Sequence, residues 1–455
     1  MIKKREKTPI DMVHGPLLPN IIRFAIPLML TGVLQLLFNA CDMIVVGQFA
    51  GSEPLAAVGS TTSLTNLLVN AFMGLSVGVN VLAAHSLGSG DREWTEKVVH
   101  TAVTMSLICG AILVVLGVSV CRFCLVAMDT PPEVLDLAVL YMRIFFCGMP
   151  VVMLYNFGAA LLRAQGNTKQ PLIYLSIAGV INVALNLVLV IVFHLSVAGV
   201  AIATIVSQAI SAVLVLRFLS RQDGPCKLTF QKLRLDFSVV KKTFQIGIPA
   251  SFNSIMFSFS NIQIQSAINS FGSSAMAGSA AAANLEGFIY LAANSLHQAA
   301  INFTGQNVGA GRNERLPKVM IACCSVSALV AFLMGTTVYL FGESLLGLYT
   351  ETASDVAFGM TRLQIIALTY FLCGIMDTMV GVLRGMGYAM VPTIISVVGV
   401  CGFRILWLVT IFAWYPTVEI LFLSYPVSWV LTALAQFVSY VFIRRKYFPI
   451  QKSSA

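Results

Sequence analysis

Three carboxylates lie well inside stretches that are otherwise apolar: Asp42, Glu286 and Asp377. A carboxylate at membrane depth is costly unless it meets a partner, water or a proton, and such residues usually mark an ion or substrate path. Asp42 is the clearest case, because it lies in the apolar run 34–46. Removal from water disfavours the bare charged form of a carboxylate. A carboxylate placed in this way is suited to exchange a proton or a cation.

Two further candidates belong to the second half of the chain. Glu286 and Arg404 lie at similar distances from the ends of their apolar runs. Two interpretations stay open for them: a structural ion pair, or a substrate or proton site. Asp377 precedes Arg384 by two helical turns and is either a functional acid or a packing residue.

The composition identifies the class of protein. The chain has 455 residues, of which 58% are hydrophobic and 10% charged. A soluble domain carries about 25% charged residues. With a mean hydropathy of +0.86, the chain is predicted to be an all-α polytopic membrane protein.

A membrane-spanning helix needs about 20 mostly apolar residues. Short polar segments divide the chain into twelve predicted spans, several of them longer than this minimum. Pro27, Pro150 and Pro249 are predicted to bend three of these spans. The predicted spans are 20–48, 55–87, 95–124, 134–162, 170–193, 196–216, 243–271, 277–308, 319–341, 356–383, 391–413 and 419–443.

Basic residues are confined to one set of loops. Of the 28 Lys and Arg residues, 24 lie in the tails and in alternate loops, and the opposite loops carry acids without Lys or Arg. The positive-inside rule then places both termini in the cytoplasm, in a multi-pass protein of the plasma (inner) membrane. The net charge of +9 is thereby explained without a nucleic-acid partner, and no cleaved signal peptide is expected.

The chain repeats itself in two halves. Pro27 matches Pro249, and Leu162-Arg163 matches Leu383-Arg384. Six spans in each half predict two six-helix lobes related by a pseudo-two-fold axis along the membrane normal. The predicted regions are a cytoplasmic tail 1–19, an N-lobe 20–216, a linker 217–242, a C-lobe 243–443 and a tail 444–455.

Two common motifs of enzyme chemistry are missing from the sequence. It has no G-x-x-x-x-G-K-[ST] loop and no H-E-x-x-H. Cys121 and Cys124 have zinc-like spacing, but no second pair follows, so the 10 cysteines are expected to be structural. We expect a protein that is not an enzyme and has no resident cofactor. The rival hypothesis, an intramembrane enzyme, would need paired acids or a nucleophile with a base.

Several short motifs together resemble the multidrug and toxic compound extrusion (MATE) family of the MOP flippase superfamily. They are the acid in the first span with Val-Val-Gly-Gln at 45–48 and Leu-Ala-Ala-Val-Gly at 55–59, the Gly-rich turns at 88–90 and 309–311, Leu-Leu-Arg-Ala-Gln-Gly-Asn-Thr at 161–168 with Pro171, and Gly-Val-Ala-Ile-Ala-Thr at 199–204. The resemblance implies two six-helix lobes around a central cleft. It also implies antiport of amphipathic, often cationic compounds against sodium or protons.

The resemblance further implies one cation site in the N-lobe. Similar family members place an acid in span 1, an Asn and an acid four residues apart in span 5, and a Thr in span 6. The matching residues here are Asp42, Asn182, Asn186 and Thr204. Asn186 departs from the pattern, since an acid is often found there. With one carboxylate, sodium binding at these four residues is expected to be weaker, and protonation of Asp42 is the alternative.

The resulting expectation is a monomeric secondary transporter in the lipid bilayer that exports small organic, cationic compounds by alternating access, with a proton or sodium as coupling ion. The alternative is a flippase for lipids or lipid-linked oligosaccharides. A flippase for anionic headgroups is expected to line its path with basic residues. Arg404 is the one basic residue predicted to lie deep, because Arg362 is placed near an outer span end, where its side chain reaches the interface.

Overall fold

The computed structural model describes residues 10–128, 130–350 and 352–449. Within these residues the chain is helical and contains no β-strand. The helices of the first half are α1 (Leu17–Phe49), α2 (Ser52–Ser89), α3 (Arg92–Ala127), α4 (Pro132–Cys147), α5 (Met149–Ala164), α6 (Lys169–Leu187) and α7 (Ser196–Arg221).

The helices of the second half are α8 (Phe237–Asn269), α9 (Ser273–Gly309), α10 (Leu316–Leu340), α11 (Gly342–Leu346), α12 (Ala353–Arg362), α13 (Tyr370–Gly385), α14 (Met390–Ser396), α15 (Phe403–Val409), α16 (Ile411–Trp414) and α17 (Val418–Tyr447). Three π-helical turns lie at Val188–Val192, Leu363–Ala367 and Val397–Gly402. Two 3-10 turns lie at Phe230–Lys232 and Asn313–Arg315.

Across the described residues, 8 helical segments are long and apolar enough to cross a membrane, and 10 when two bent pairs each count as one span. The bends measure 48° between α4 and α5 and 46° between the α12 segment and α13. The long helices α8 and α9, with 33 and 37 residues, are not among these segments but cover the two remaining predicted spans, 243–271 and 277–308. All twelve predicted spans therefore lie on helices, and the predicted all-α fold is confirmed.

The turns that end the helices repeat with the sequence. Left-handed glycines lie at equivalent places in the two halves, where a side chain would be strained. The pairs are Gly51 and Gly272, Gly90 and Gly311, and Gly166 and Gly387. The same chain directions therefore recur in both halves, as the sequence repeat predicts.

Two compact units divide the described chain. The first contains Leu30–Ser251, and the second contains Asp11–Met29 together with residues 252–449. In the first unit α3 packs on α5, and α6 packs on α7. In the second, α9 packs on α10, α12 and α13 around a core that includes Ile289 and Trp429. The lobe boundaries at 20, 216 and 243 remain predictions.

The connection between α7 and α8 is folded onto the start of α3 in the first unit. The ammonium group of Lys232 lies 2.6 Å from the carboxylate of Glu96. The backbone N–H of Thr229 donates to Nε2 of the buried His100 at 3.1 Å. The predicted linker is therefore a docked segment over its described residues.

Candidate functional site

Asp42 meets two of its predicted neighbours directly. The side-chain amide of Asn186 donates a hydrogen bond to Oδ1 of Asp42. The hydroxyl oxygen of Thr204 lies 3.4 Å from Oδ2 of Asp42 and 2.9 Å from the backbone oxygen of Val200. Since the hydroxyl has one hydrogen, it donates to only one of these acceptors at a time. The carboxylate is thus held by α1, α6 and α7 together.

Asn182 completes the cluster. Its side-chain nitrogen lies 3.5 Å from the hydroxyl oxygen of Thr204, and its Oδ1 accepts from the Asn186 amide at 3.3 Å. Asn182 is 4% exposed and Asn186 is fully buried, whereas Asp42 is half-buried. The structure therefore brings the four residues of the predicted N-lobe site together, although their role stays a prediction.

Local sequence explains why these residues meet. Asn182 and Asn186 are four residues apart, so they share one face of α6. Gly179 lies on the same face, and the ring of Phe38 occupies the space that a side chain at Gly179 would need. Phe38 precedes Asp42 by one turn, so this close approach of α1 to α6 sets the carboxylate opposite the amides. A π-helical turn, which is frequent at functional sites, begins at Val188.

The charge of Asp42 has no cationic partner. No Lys or Arg within the described chain lies within ion-pair distance of its carboxylate. Oδ1 of Asn186 is buried and accepts no hydrogen bond from the described residues. The cluster thus offers carboxylate, amide and hydroxyl oxygens, the ligand types that hard cations such as sodium prefer. Nowhere in the described residues do three His, Cys, Asp or Glu side chains converge.

Tyr141 is a neighbour that the sequence analysis missed. Its phenol on α4 interacts electrostatically with the Asp42 carboxylate, and its ring stacks on Phe145 with centroids 6.1 Å apart. A tyrosine in an apolar span gives no sequence signal for this role, since its position along the span does not show which helix it faces.

In the second unit Glu286 forms a buried ion pair, but not with Arg404. Nε and Nη2 of Arg362 donate to Oε1 and Oε2 of Glu286, each at 2.8 Å, and Nη1 donates to Ser279 at 2.7 Å. Arg362 is 7% exposed. The expectation that its side chain reaches the membrane interface is therefore wrong, because the guanidinium is buried within the protein. Arg362 is the last residue of α12 and faces α9, so its guanidinium points into the unit.

Arg404 has aromatic and hydroxyl partners instead of a carboxylate. Its guanidinium carbon lies 3.9 Å from the centroid of the Tyr425 ring. Its Nε donates to the hydroxyl of Ser428 at 3.2 Å, and the residue is 3% exposed.

Asp377 lies apart from Glu286's ion pair. Its backbone oxygen is 2.6 Å from Nδ1 of His297, and its half-buried carboxylate interacts electrostatically with Arg384. Arg384 is 6% exposed, and its Nε and Nη2 find no hydrogen-bond partner among the described residues. Arg404 is therefore not the only deep basic residue, which corrects the sequence prediction.

Comparison with known proteins agrees with this architecture. The MatE family model matches residues 27–188 and 249–410, and the two matches begin at the prolines paired by the sequence repeat. The probable multidrug resistance protein YoeA of Bacillus subtilis is 28% identical over 434 residues, which cover 93% of each chain. The FAD transporter of Shewanella oneidensis is 24% identical over 341 residues, which cover 73% of each chain.

A solved structure shares the fold. It is a MOP superfamily transporter from Pyrococcus furiosus whose description reports a binding pocket of reversed polarity. The TM-score is 0.87 at 20% sequence identity, and the match covers 97% of this chain and 98% of that one. Because the family model covers most of the chain in two repeats, the chain belongs to the MatE family and is a MATE-type membrane transporter.

Proposed function

We propose that the chain is a secondary active exporter that couples the entry of a proton or sodium at Asp42 to the efflux of organic, amphipathic compounds. The observation that carries this proposal is the carboxylate without a counter-ion. Asp42 is held by an amide and a hydroxyl, and no described basic residue neutralises it. A charge in this state is stabilised by a proton or a small cation, which is what a coupling site requires.

The hydrogen bonds suggest how ion binding acts on the helices. A proton on Asp42 removes its charge and turns an acceptor oxygen into a donor, so the bonds from Asn186 and Thr204 weaken. A sodium ion would instead compete for the same oxygens. Either event changes the hydrogen bonds that join α1 to α6 and α7. We propose that this rearrangement drives the first unit between two states of alternating access.

The substrate class is inferred from relatives and from the site. YoeA is named a probable multidrug resistance protein, which supports small organic compounds as cargo. Cationic compounds fit best with a carboxylate that has no counter-ion. The coupling ion that displaces such a compound would neutralise the same charge on Asp42. We further propose that the protein lies in the plasma membrane with both termini in the cytoplasm.

The test is ethidium efflux from reconstituted vesicles under an imposed proton gradient or an imposed sodium gradient. Efflux that follows one gradient in the wild type and disappears in Asp42→Asn would support the proposal. Glu419→Gln is a matched control, because Glu419 lies in the first turn of α17, outside the Asp42 cluster. Wild-type efflux rates in Asp42→Asn under both gradients would refute the role of Asp42.

A flippase for anionic lipids is the second candidate. Three buried arginines, Arg362, Arg384 and Arg404, favour it more than the sequence suggested. A relative named as an FAD transporter also shows that an anionic cargo is compatible with similar sequences. Transbilayer movement of a fluorescent anionic lipid in the same vesicles, with no ethidium efflux, would select this candidate.

A further inference from the structure

The guanidinium of Arg404 is a buried charge without a counter-ion. No carboxylate within the described chain lies within ion-pair distance of it. We propose that Arg404, positioned by Tyr425 and Ser428, binds the carboxylate or phosphate group of an amphipathic ligand in the second unit. The inference rests on the proposed transport function for its biological use. It extends the substrate class to compounds that carry an acidic group.

The pairing of charges in the second unit supports an anionic ligand at Arg404. Its buried charged residues among those described are Glu286, Asp355, Arg362, Arg384 and Arg404. Glu286 neutralises Arg362, and the carboxylate of Asp355 accepts from the hydroxyl of Thr350 at 2.8 Å. The half-buried Asp377 interacts with Arg384. Arg404 is therefore the one of the three arginines that has no carboxylate among its electrostatic neighbours.

The first unit has the opposite character. Its described part contains no fully buried Lys, Arg, Asp or Glu, and its half-buried carboxylates are Asp42, Glu96 and Asp236, of which Asp42 lies farthest from a helix end. The Asp42 cluster is therefore suited to a cation, and the surroundings of Arg404 are suited to an anion. Asp42 and Arg404 have no charged equivalent in the other half, since Asp42 corresponds to Ile264 in the repeat.

Arg404 cannot relieve its burial by losing a proton, because a guanidinium stays charged in proteins. Burial of an unpaired charge is expensive. One hydrogen bond to Ser428 and one cation–π contact with Tyr425 offset only part of that cost. A negatively charged ligand would offset the remaining cost of burying the guanidinium.

The hydrogen bonds show which edge of the Arg404 guanidinium has no protein partner. Arg362 donates from Nε, Nη1 and Nη2 to protein acceptors and is saturated. Arg404 donates from Nε alone, and its Nη1 and Nη2 make no hydrogen bond to the described residues. Neither nitrogen is among the polar atoms sealed from solvent. The fork of two terminal nitrogens matches the two oxygens of a carboxylate or phosphate.

Binding can be tested without transport, in nanodiscs of neutral phosphatidylcholine and without an ion gradient. The probes are riboflavin and flavin mononucleotide, which share one ring system and differ by a phosphate group, and fluorescence anisotropy reports their binding. We expect wild-type protein to bind the mononucleotide at least about tenfold more tightly than riboflavin. Arg404→Gln should abolish this preference, and Arg404→Lys should retain part of it.

Arg143→Gln is the matched control, because Arg143 is an exposed arginine of the first unit. A second arm compares discs of phosphatidylcholine with discs that contain phosphatidylglycerol and measures the thermal unfolding midpoint. A stabilisation by phosphatidylglycerol that depends on Arg404, without a preference for the mononucleotide, would identify a lipid headgroup as the source of the anion. A preference for the mononucleotide would identify a soluble organic anion.

Ser428→Ala guards against a variant that fails to fold, since it keeps the charge of Arg404 and removes only its positioning hydrogen bond. We expect it to reduce the mononucleotide preference. If the wild type shows no preference in either arm, or if Arg404→Gln folds and keeps it, Arg404 is a structural residue and the proposal is overturned. This binding is measured without an ion gradient and does not require coupling at Asp42, so a failure of ion coupling is distinguishable from a failure of this site.

Discussion

The single carboxylate of the Asp42 cluster determines how strongly it should bind sodium. Asn186 contributes an amide where a second acid would add charge, and its Oδ1 has no described partner. Asn186→Asp would place two carboxylates in contact, and a site with two anionic ligands binds a cation more tightly. We expect Asn186→Asp to shift the sodium concentration for half-maximal thermal stabilisation down by about tenfold or more.

Exchange of the two side chains separates charge from position. The double variant Asp42→Asn with Asn186→Asp keeps one carboxylate within the same cluster. We expect its sodium response to resemble that of the wild type. If Asn186→Asp raises sodium affinity no more than Asn156→Asp, an amide of the first half outside the Asp42 cluster, the cluster does not bind sodium.

The ion pair of Glu286 and Arg362 should contribute strongly to the stability of the second unit as long as both partners are present. Removal of one partner from a buried pair leaves an unpaired charge and costs about 3–5 kcal/mol. We expect Glu286→Gln to lower the thermal unfolding midpoint markedly. Asp136→Asn, which breaks the exposed pair with Arg122, should change stability by less than about 1 kcal/mol. Equal effects of the two variants would contradict the burial of the Glu286 pair.

Sequence reasoning predicted the proximity of the residues in the first cluster better than in the second. The four N-lobe positions came from the family resemblance, and the spacing of Asn182 and Asn186 places that pair on one helix face. The partners of Glu286 depend on which way a side chain points across helices, and depth along a span does not determine that direction. Arg362 and Arg404 both lie near Tyr425, with guanidinium carbons 6.0 and 3.9 Å from its ring centroid. Only the structure distinguishes the one that reaches Glu286.

At the scale of helices, the contact of Phe38 with Gly179 controls how closely α1 approaches α6. Gly179→Ala would introduce a methyl group into the space of the Phe38 ring. We expect a loss of stability of about 1–3 kcal/mol and reduced ion coupling, because Asp42 moves away from the amides. The unfolding midpoint and the ethidium assay measure the two effects.

Gly287→Ala is the matched control, since nothing lies within 4 Å of the position that its new methyl group would occupy. Phe38→Leu in the Gly179→Ala background should restore part of both properties by clearing space. If Gly179→Ala behaves like Gly287→Ala, the close approach of α1 and α6 does not position the site.

The burial of Cys226 in the docked linker predicts how the reactivity of its thiol depends on pH. Burial raises the pKa of the Cys226 thiol to about 12, and the residue is 5% exposed. Because the thiolate is the reactive form, maleimide labelling of Cys226 in folded protein should be slow and should still rise with pH at about pH 9.5. In unfolded protein the thiol titrates near its usual pKa of about 8.5, so the labelling rate should level off above it.

His100→Ala should release this segment, because the backbone N–H of Thr229 loses its acceptor. We expect labelling of Cys226, followed by mass spectrometry, to accelerate about tenfold. Lys232→Ala removes only an exposed ion pair and should change the rate by less than about threefold. Unchanged labelling in His100→Ala would show that His100 does not hold the linker.

The turns explain why the order and the ends of the helices could be predicted from the sequence. Glycine pairs such as Gly90 and Gly311 mark the same left-handed turns in both halves. The π-helical turn at Val397–Gly402 carries no such mark in its composition. A change of helical register of this kind depends on tertiary packing, so the direction of Arg404, just after it, was not predictable.

At the scale of the whole chain, each unit has contacts between a basic residue and the turn that joins two long helices. In the first unit, Lys232 of the linker pairs with Glu96 near the start of α3, and Lys242 lies 4.5 Å from the Trp94 ring. In the second, Arg315 donates to the backbone oxygen of Gly15 at 2.8 Å. These contacts place the linker beside the α2–α3 turn of the first unit and the segment around Gly15 beside the α9–α10 turn of the second. The positive-inside rule assigns both turns to one side of the membrane.

The orientation in the membrane is therefore testable with two engineered cysteines. Lys227 is exposed in the linker, and Tyr415, 65% exposed, follows α16 in a loop without Lys or Arg. Because cytoplasmic loops retain the excess of basic residues, we expect an impermeant maleimide to label Tyr415→Cys in intact cells and Lys227→Cys only after permeabilisation. Wild-type protein controls for native cysteines. Labelling of Lys227→Cys from outside would reverse the orientation, and with it the direction of export proposed for the Asp42 site.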